Sequence, residues 1–131
     1  ADSEDSLLQR ANKVFVKYCT SDAHMGDSAA FESLQFRGAR VIRAVFKDLI
    51  QRGLGAGKRN LLLLGGQSAG ARGAMVHLDY VPEMLGEVSG NVDVLGFLDS
   101  PLWIDMPPYP NVSFIGFNES CKRVQNFAGV T

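Results

Sequence analysis

Gly66, Ser68 and Gly70 form a G-x-S-x-G motif between an apolar run, residues 61–64, and a stretch with helical periodicity. A strand, this motif and a helix, in that order, are typical of a nucleophile elbow, the turn that presents a serine for acyl transfer. The turn needs strained backbone angles at the serine, and we expect glycine at 66 and 70 because Cβ atoms there would collide where strand and helix meet. The N–H of Ala69 would then face the oxyanion formed in the reaction.

The sequence contains two histidines, His24 and His77, and neither fits the general base that Ser68 would need. His77 follows the serine in the same predicted helix at a distance of roughly 13 Å, which is too far for a hydrogen bond. His24 precedes the serine, whereas the order after such an elbow is serine, acid, histidine. We therefore interpret His77 as an ordinary helix residue and His24 as a residue of the substrate-pocket rim or the surface.

Four charged side chains outside the motif are candidates for a role in the site. Asp99 ends the strand after the elbow helix and could orient a histidine, but we favour a structural role in which its carboxylate accepts loop N–H groups. Asp22 and Asp27 are interpreted as turn residues, since their spacing with His24 is too loose to predict a metal site, and no cofactor is predicted. Arg37 is interpreted as a solvated charge at a helix start, with a salt bridge to Asp99 or Asp22 as the alternative.

The size and composition of the chain are those of an ordinary globular protein. Its 131 residues fit one domain, but a doubly wound hydrolase sheet needs about twice that length, so we expect a single incomplete domain over residues 1–131, truncated at both ends. A net charge of −1 gives no reason to expect a nucleic-acid partner. No apolar stretch approaches the roughly 20 residues that span a bilayer. Residues 1–5 carry no signal peptide, so either none exists or the true N-terminus is missing from this sequence.

Hydrophobic periodicity predicts alternating helices and strands. Apolar residues recur at three- and four-residue spacing over residues 38–52, whereas residues 60–64 are almost entirely apolar, as expected for a strand buried on both faces. The alternation predicts the α/β class, with a mostly parallel sheet and flanking helices. The predicted elements are strand 13–18, helix 38–52, strand 60–64, helix 69–85 and strand 92–98, followed by a short strand or helix start at 114–117.

Four blocks of the sequence, in this order, resemble the Notum and pectin acetylesterase family of α/β-hydrolases. They are a strand that ends in Tyr-Cys and a polar loop (residues 14–22), a Phe-Arg-Gly helix start (36–40), the nucleophile strand and elbow (62–70), and a segment with Asp-Ser and aromatic residues (96–105). Gln67, Ala71 and Pro101 depart from the family pattern. The first two leave the mechanism intact, whereas Pro101 restricts its loop in a way that the family's glycine does not.

The resemblance implies a secreted serine carboxylester hydrolase with a Ser–Asp–His triad and a partial α/β-hydrolase fold. The substrate would be an O-acylated polysaccharide or an O-acylated protein. Ser68 takes the role of the nucleophile and Ala69 that of an oxyanion donor, while the acid and the base would lie downstream of this chain. The loop from Asp99 to Asp105 is expected to border the substrate pocket beside Ser68, because the carboxyl ends of the strands in this sheet face the active site. Trp103 in this loop is at the position of an aromatic residue that lines the acyl pocket, with a core tryptophan as the alternative. The other class of function is a catalytically incompetent hydrolase-like fragment or binding module that lacks the triad Asp and His.

Two cysteines and two glycosylation sequons bear on the compartment of the protein. Cys19 and Cys121 can pair with each other, pair with cysteines outside this segment, or stay reduced, and the sequence does not choose among these. Asn111 and Asn118 each begin an N-x-S/T sequon. Because such tripeptides are frequent by chance, they favour secretion and N-glycosylation only mildly.

Overall fold

A computed structural model describes residues 8–28, 35–113 and 115–130. Two strands, four α-helices and one 3-10 helix are formed within these ranges. In chain order they are α1 (Gly38–Gln51), β1 (Asn60–Gln67), α2 (Ala69–Leu78), α3 (Val81–Leu85), the 3-10 helix (Gly86–Asn91), β2 (Val92–Asp99) and α4 (Phe117–Ala128). The centre of the chain is therefore a β-α-β unit, which belongs to the α/β class that the sequence predicts.

The two strands pair in parallel and end together, with Gln67 beside Asp99. The residues that follow them, Ser68 and Ser100, consequently lie at the same end of the sheet. The parallel pairing and the flanking helices confirm the predicted partial α/β fold, although β1 continues three residues beyond its predicted end at residue 64. The carboxyl end of a parallel sheet is where such folds place their ligand sites.

The described residues cover only one face of the sheet. Side chains point alternately to the two faces of a strand, so Leu62 and Leu64 contact the core while Leu61 and Leu63 are 66% and 44% exposed. The prediction that this strand is buried on both faces is therefore wrong for the described part of the chain, because its helices pack on a single side. The core on that side is formed by Ile42, Phe46, Val81, Leu85 and Val92.

The helix predicted over residues 38–52 is confirmed as α1. Its buried side chains Ile42 and Phe46 are four residues apart, so they lie on one face of the helix and bury it in the core. The helix ends before Gly53, whose φ is 106°. Residues with a Cβ rarely adopt this angle, and glycine there lets the chain turn away from the helix axis.

The helix predicted over residues 69–85 is in fact two helices. α2 ends at Leu78 and α3 begins at Val81. Pro82 has no N–H to donate to the carbonyl oxygen of Leu78, so the series of backbone hydrogen bonds in α2 cannot continue through this point. The second helix starts afresh with proline in its first turn, a position that tolerates the missing donor.

The strand predicted over residues 13–18 is not formed. The segment has no regular secondary structure, and its side chains Val14 and Phe15 are 57% and 87% exposed. A strand requires a neighbouring strand to satisfy its backbone groups, and within the described residues the sheet consists of β1 and β2 alone. The β-branched and aromatic composition of this segment therefore does not translate into a strand here.

The helix start predicted around residues 114–117 is confirmed by α4, which begins at Phe117, whereas Phe114 lies outside the described residues. Gly116 precedes the helix with a φ of 92°. The N–H of Asn118 in the first turn donates to Oδ1 of Asp105 at 3.2 Å. A carboxylate at this position satisfies one of the free N–H groups at the helix start and attaches the preceding loop to α4.

Candidate active site

Ser68 occupies a sharp turn between β1 and α2, with backbone angles of φ 50° and ψ −113°. Positive φ is uncommon for a residue with a Cβ, and such conformations cost about 1–3 kcal/mol. The N–H of Ser68 donates to the carbonyl oxygen of Asp99 at 3.0 Å, which attaches the turn to the end of β2. The residue is exposed to solvent. The predicted elbow backbone is thus confirmed, with a strained serine between a strand and a helix.

The two glycines of the motif differ in why they are needed. A Cβ added to Gly66 would lie 2.3 Å from the backbone carbon and oxygen of Gly70, a distance that atoms cannot adopt. A Cβ added to Gly70 would meet nothing within 4 Å among the described residues. The prediction that a Cβ would collide is therefore confirmed for Gly66 and wrong for Gly70. The backbone of Gly70 is what a Cβ at position 66 would meet.

The first turn of α2 leaves backbone N–H groups available next to Ser68. The helix begins at Ala69, and the first N–H groups of a helix have no acceptor within it. The N–H of Arg72 donates to the carbonyl oxygen of Ser68 at 3.1 Å and closes the turn. The N–H of Ala69 therefore has the position in the chain and in the helix that an oxyanion donor requires, and its catalytic role stays a prediction.

His24 and His77 are both buried and contact each other. Nε2 of His77 donates to the carbonyl oxygen of His24 at 2.6 Å, and the ring of His24 lies 4.9 Å from that of Tyr18. His24 is only 8% exposed, so its interpretation as a surface residue is wrong, whereas its place at the rim of a substrate pocket stays a prediction. Burial lowers the pKa of His24, and His77 adds to this effect while Asp22 opposes it.

Asp22 explains why the loop that carries His24 is drawn inward. Its carboxylate is 2% exposed and accepts backbone hydrogen bonds from Gly38 at 2.7 Å, His24 at 2.9 Å and Gly26 at 3.2 Å. The hydroxyl of Thr20 donates to it as well. Three backbone donors compensate a buried charge well, and one of them belongs to the start of α1. The interpretation of Asp22 as a turn residue is confirmed, and the turn is joined to a helix.

Asp27 forms ion pairs with Arg37 and Arg40 at the start of α1. The salt bridge of Arg37 is thus with Asp27, and the predicted alternatives, Asp99 and Asp22, are wrong. The hydrogen bond from Arg40, reinforced by Arg37, lowers the pKa of Asp27 below its usual value. Because these side chains are 31% to 62% exposed to water, we ascribe little stability to the pairs.

Asp99 contributes to the elbow through its backbone rather than its side chain. Its carbonyl oxygen accepts the N–H of Ser68, whereas its exposed carboxylate accepts a hydrogen bond from the hydroxyl of Ser100 at 3.1 Å. The prediction that the Asp99 carboxylate accepts loop N–H groups is wrong, because it accepts the hydroxyl of Ser100 instead. The structural role favoured from the sequence therefore holds, but a different group of the residue performs it.

Residues 100–113, which we call the post-β2 segment, leave the sheet beside Ser68 without regular secondary structure. Trp103 in this segment is half-buried, and the guanidinium carbon of Arg72 lies 5.5 Å from its ring centroid. A cavity of about 410 Å³ lies further along the segment, lined among others by Asp105 and Lys122. Its lining does not include Ser68 or Trp103, so the pocket role of residues 99–105 stays a prediction.

Residues 1–128 match the family described as Pectinacetylesterase. The chain belongs to the pectinacetylesterase family. The match includes the elbow, the loop of Asp22 and the post-β2 segment, and it confirms the resemblance found in the sequence. The relatives that match the chain are named as ester hydrolases of two kinds, which places the family among carboxylic ester hydrolases.

Relatives from animals and a plant match different lengths of the chain. The palmitoleoyl-protein carboxylesterase notum1a of Danio rerio is 39% identical over 102 residues, which are 76% of this chain and 20% of the relative. The palmitoleoyl-protein carboxylesterase NOTUM of Homo sapiens is 38% identical over 109 residues, 81% of this chain and 22% of the relative. Pectin acetylesterase 11 of Arabidopsis thaliana is 41% identical over 71 residues, 52% of this chain and 18% of the relative.

The chain spans about a fifth of the length of these curated relatives. No solved structure gives a significant match to it. In the parts of this family member that the structure describes, no group of three or more His, Cys, Asp or Glu side chains could hold a metal ion. Among the same residues no helix has both the length and the apolar character needed to cross a membrane.

The cysteines and sequons of this pectinacetylesterase family member lie at its surface. Cys19 and Cys121 are exposed and unpaired, so a bond between the two is not formed, while the other two alternatives stay open. Asn111 is exposed in a turn with a φ of 67°, and Asn118 is exposed in the first turn of α4. Both asparagines are accessible, and their glycosylation stays a prediction.

Two residues of the site have roles that the sequence reasoning did not assign. Arg72, one turn after the serine, contacts Trp103, and the N–H of Gly38 donates to the Asp22 carboxylate. A Cβ at Gly38 would lie 2.4 Å from Oδ1 of Asp22 and from the Cα of His24, which explains a glycine at this helix start. The only sequence signals were an arginine in a helix otherwise rich in small residues and a glycine where a helix begins.

Proposed function

We propose that the protein is a serine carboxylester hydrolase that removes acyl groups from an O-acylated polysaccharide or an O-acylated protein. The observation that carries the proposal is the strained, exposed Ser68 between β1 and α2, in a member of an ester hydrolase family. Names of relatives include both pectin acetylesterase and palmitoleoyl-protein carboxylesterase, so both classes of substrate are retained.

The reaction follows from the groups around the elbow. Oγ of Ser68 attacks the ester carbonyl carbon while a general base removes the hydroxyl proton, and the negative charge on the carbonyl oxygen is stabilised by the N–H of Ala69. Collapse of this intermediate releases the alcohol, which takes up the proton. Water then attacks the acyl-enzyme by the same route, which releases the carboxylic acid and regenerates Ser68.

The general base must come from outside the described residues. The ring of His24 is buried, and His77 donates Nε2–H to the carbonyl oxygen of His24. Two buried imidazoles, of which that of His77 already makes a hydrogen bond, are poorly suited to remove a proton from a serine exposed at the end of the sheet. The same observation supports the second candidate, a catalytically incompetent hydrolase-like module, if no acid and histidine reach Ser68 from elsewhere.

Comparing two forms of the protein tests the proposal. The 131-residue chain should hydrolyse p-nitrophenyl acetate no faster than its Ser68→Ala variant, because the serine has no base to activate it. The protein expressed from the complete reading frame should hydrolyse this ester and release acetate from acetylated polysaccharide or a fatty acid from an acylated peptide. Absence of both activities in the folded full-length protein would favour the incompetent module. Activity of the short chain that is lost in His24→Ala would instead make His24 the base.

Trp103 is proposed to border the acyl pocket, and we favour short acyl groups because a large indole near the elbow leaves little room. In the full-length protein, Trp103→Ala should raise kcat/KM for octanoyl relative to acetyl esters, since each methylene newly buried contributes up to about 0.8 kcal/mol. The measurement is the ratio of kcat/KM for the p-nitrophenyl esters of the two acids. A folded Trp103→Ala enzyme with an unchanged ratio would assign the tryptophan to the core instead.

Secretion is also proposed, supported by the surface position of both sequons. Asn111, in an exposed turn, is the better acceptor because an oligosaccharide needs an accessible and adaptable backbone. Asn118 lies in the first turn of α4 and its N–H is engaged by Asp105. Both sites are compatible with a protein that acts on extracellular esters.

A further inference from the structure

Arg72 joins the elbow helix to the post-β2 segment. Its own N–H is bonded to the carbonyl oxygen of Ser68, so its Cα lies one helical turn from the elbow. Its guanidinium carbon lies 5.5 Å from the ring centroid of Trp103, within the range of a cation–π contact. The side chain therefore connects the two parts of the chain that flank the proposed pocket.

The charge of Arg72 has no carboxylate partner in the residues that the structure describes, whereas Arg37, Arg40, Arg52 and Arg59 each pair with an aspartate. Nε of Arg72 is buried and has no hydrogen-bond partner among those residues. A partly desolvated cation interacts more strongly with an aromatic face than a solvated one does. The cation–π contact with Trp103 is thus made by a guanidinium that has no ion-pair partner among the described residues.

The post-β2 segment has few other attachments near the elbow. Leu102 and Ile104, on either side of Trp103, are 79% and 56% exposed, while Trp103 itself is half-buried. The segment has no regular secondary structure of its own to fix the indole. Its next described attachment is Asp105, which accepts the N–H of Asn118 in α4. Unlike these two neighbours, Trp103 is half-buried, and it contacts Arg72.

We propose that Arg72 is a positioning residue that holds Trp103 against the first turn of α2 and thereby limits the length of the acyl group accepted beside Ser68. This inference rests on the proposed function, since it concerns selectivity among esters. Arg72 acts through Trp103 and does not touch the reacting atoms. Release of the indole should open the space beside the elbow to longer chains.

A double-mutant cycle in the full-length protein tests the coupling between the two side chains. Arg72→Met, which keeps a long flexible side chain without the charge, should raise the octanoyl-to-acetyl ratio of kcat/KM by about fivefold. In a Trp103→Ala background the same change should have no further effect, because the group through which Arg72 acts is gone. Arg72→Lys keeps a cation without the flat guanidinium and should give an intermediate ratio.

Arg59→Met is the matched control, since it also removes one positive charge. Arg59 directly precedes β1 and lies at the opposite end of the strand, roughly 25–30 Å from Ser68 at the rise of a β-strand. It should leave the chain-length ratio unchanged. An unchanged ratio in Arg72→Met, or effects of Arg72→Met and Trp103→Ala that simply multiply, would overturn the positioning role. Selective loss of activity on 4-carboxyphenyl acetate with a normal ratio would overturn it too, by assigning Arg72 to an anionic group of the substrate.

Fluorescence provides a readout that does not depend on catalysis. Trp103 is the only tryptophan within residues 1–131. In the full-length protein, any tryptophan outside this segment is first replaced by phenylalanine, so that the emission reports on this ring alone. Arg72→Met should shift the emission to longer wavelength and increase quenching by acrylamide, and Arg59→Met should do neither. Equal quenching in all three proteins would overturn the contact. Absence of ester turnover that depends on Ser68 would overturn the proposed function, whereas the quenching result would still decide whether Arg72 holds the ring.

Discussion

Ser68→Ala should lower kcat of the full-length protein on p-nitrophenyl acetate by about 10⁴-fold or more, with little change in KM. The hydroxyl forms the covalent bond to the acyl group, and alanine leaves only the oxyanion N–H and the binding groups to act on the ester. Because the elbow geometry is set by the backbone of Gly66 and by the bond from residue 68 to Asp99, the variant should fold normally.

Ser100→Ala is the control for this experiment. Ser100 also directly follows a strand at the same end of the sheet, also has a positive φ, of 57°, and is also exposed. Its hydroxyl donates to Asp99 and has no proposed role in acyl transfer. We expect kcat to stay within about threefold of the parent, the range of ordinary surface substitutions. Comparable losses in both variants, or substantial activity in Ser68→Ala, would exclude Ser68 as the nucleophile.

Gly66→Ala should destabilise the protein by about 3 kcal/mol or more, whereas Gly70→Ala should be neutral or stabilising by up to about 1 kcal/mol. The methyl group at 66 would lie 2.3 Å from the backbone carbon and oxygen of residue 70. These are backbone atoms and not the end of a flexible side chain that could move away. The methyl group at 70 meets nothing within 4 Å of the described residues, and alanine favours the helix that Gly70 weakens.

Urea unfolding of the three full-length proteins, followed by circular dichroism, measures this difference. The pair is informative because both glycines belong to the same motif and a sequence pattern treats them alike. If both variants lost equal stability, the close approach of strand and helix at this turn would be wrong. Ester hydrolysis should fall with Gly66→Ala even in the fraction that remains folded, since any backbone shift there moves Ser68 relative to the N–H of Ala69.

The sequence by itself determined the elements whose signals are local. An apolar run followed by G-x-S-x-G and a helical pattern was sufficient to predict β1, the strained turn at Ser68 and the start of α2. The spacing of Ile42 and Phe46 was sufficient for α1. The break before α3 also had a local cause, since Pro82 has no N–H to donate to the preceding turn. The apolar pattern continues on both sides of this proline, and a single helix was therefore predicted.

Only the tertiary structure decided which side chains meet, because those contacts join residues far apart in the chain. His77 donates to the carbonyl oxygen of a residue 53 positions earlier, and both histidines are buried. Asp22 accepts the N–H of Gly38, 16 residues on, and draws its loop inward. Which strand faces are covered depends in the same way on where helices pack. The periodicity of a sequence indicates which side chains will be buried, whereas the residues that they contact are determined by packing in three dimensions.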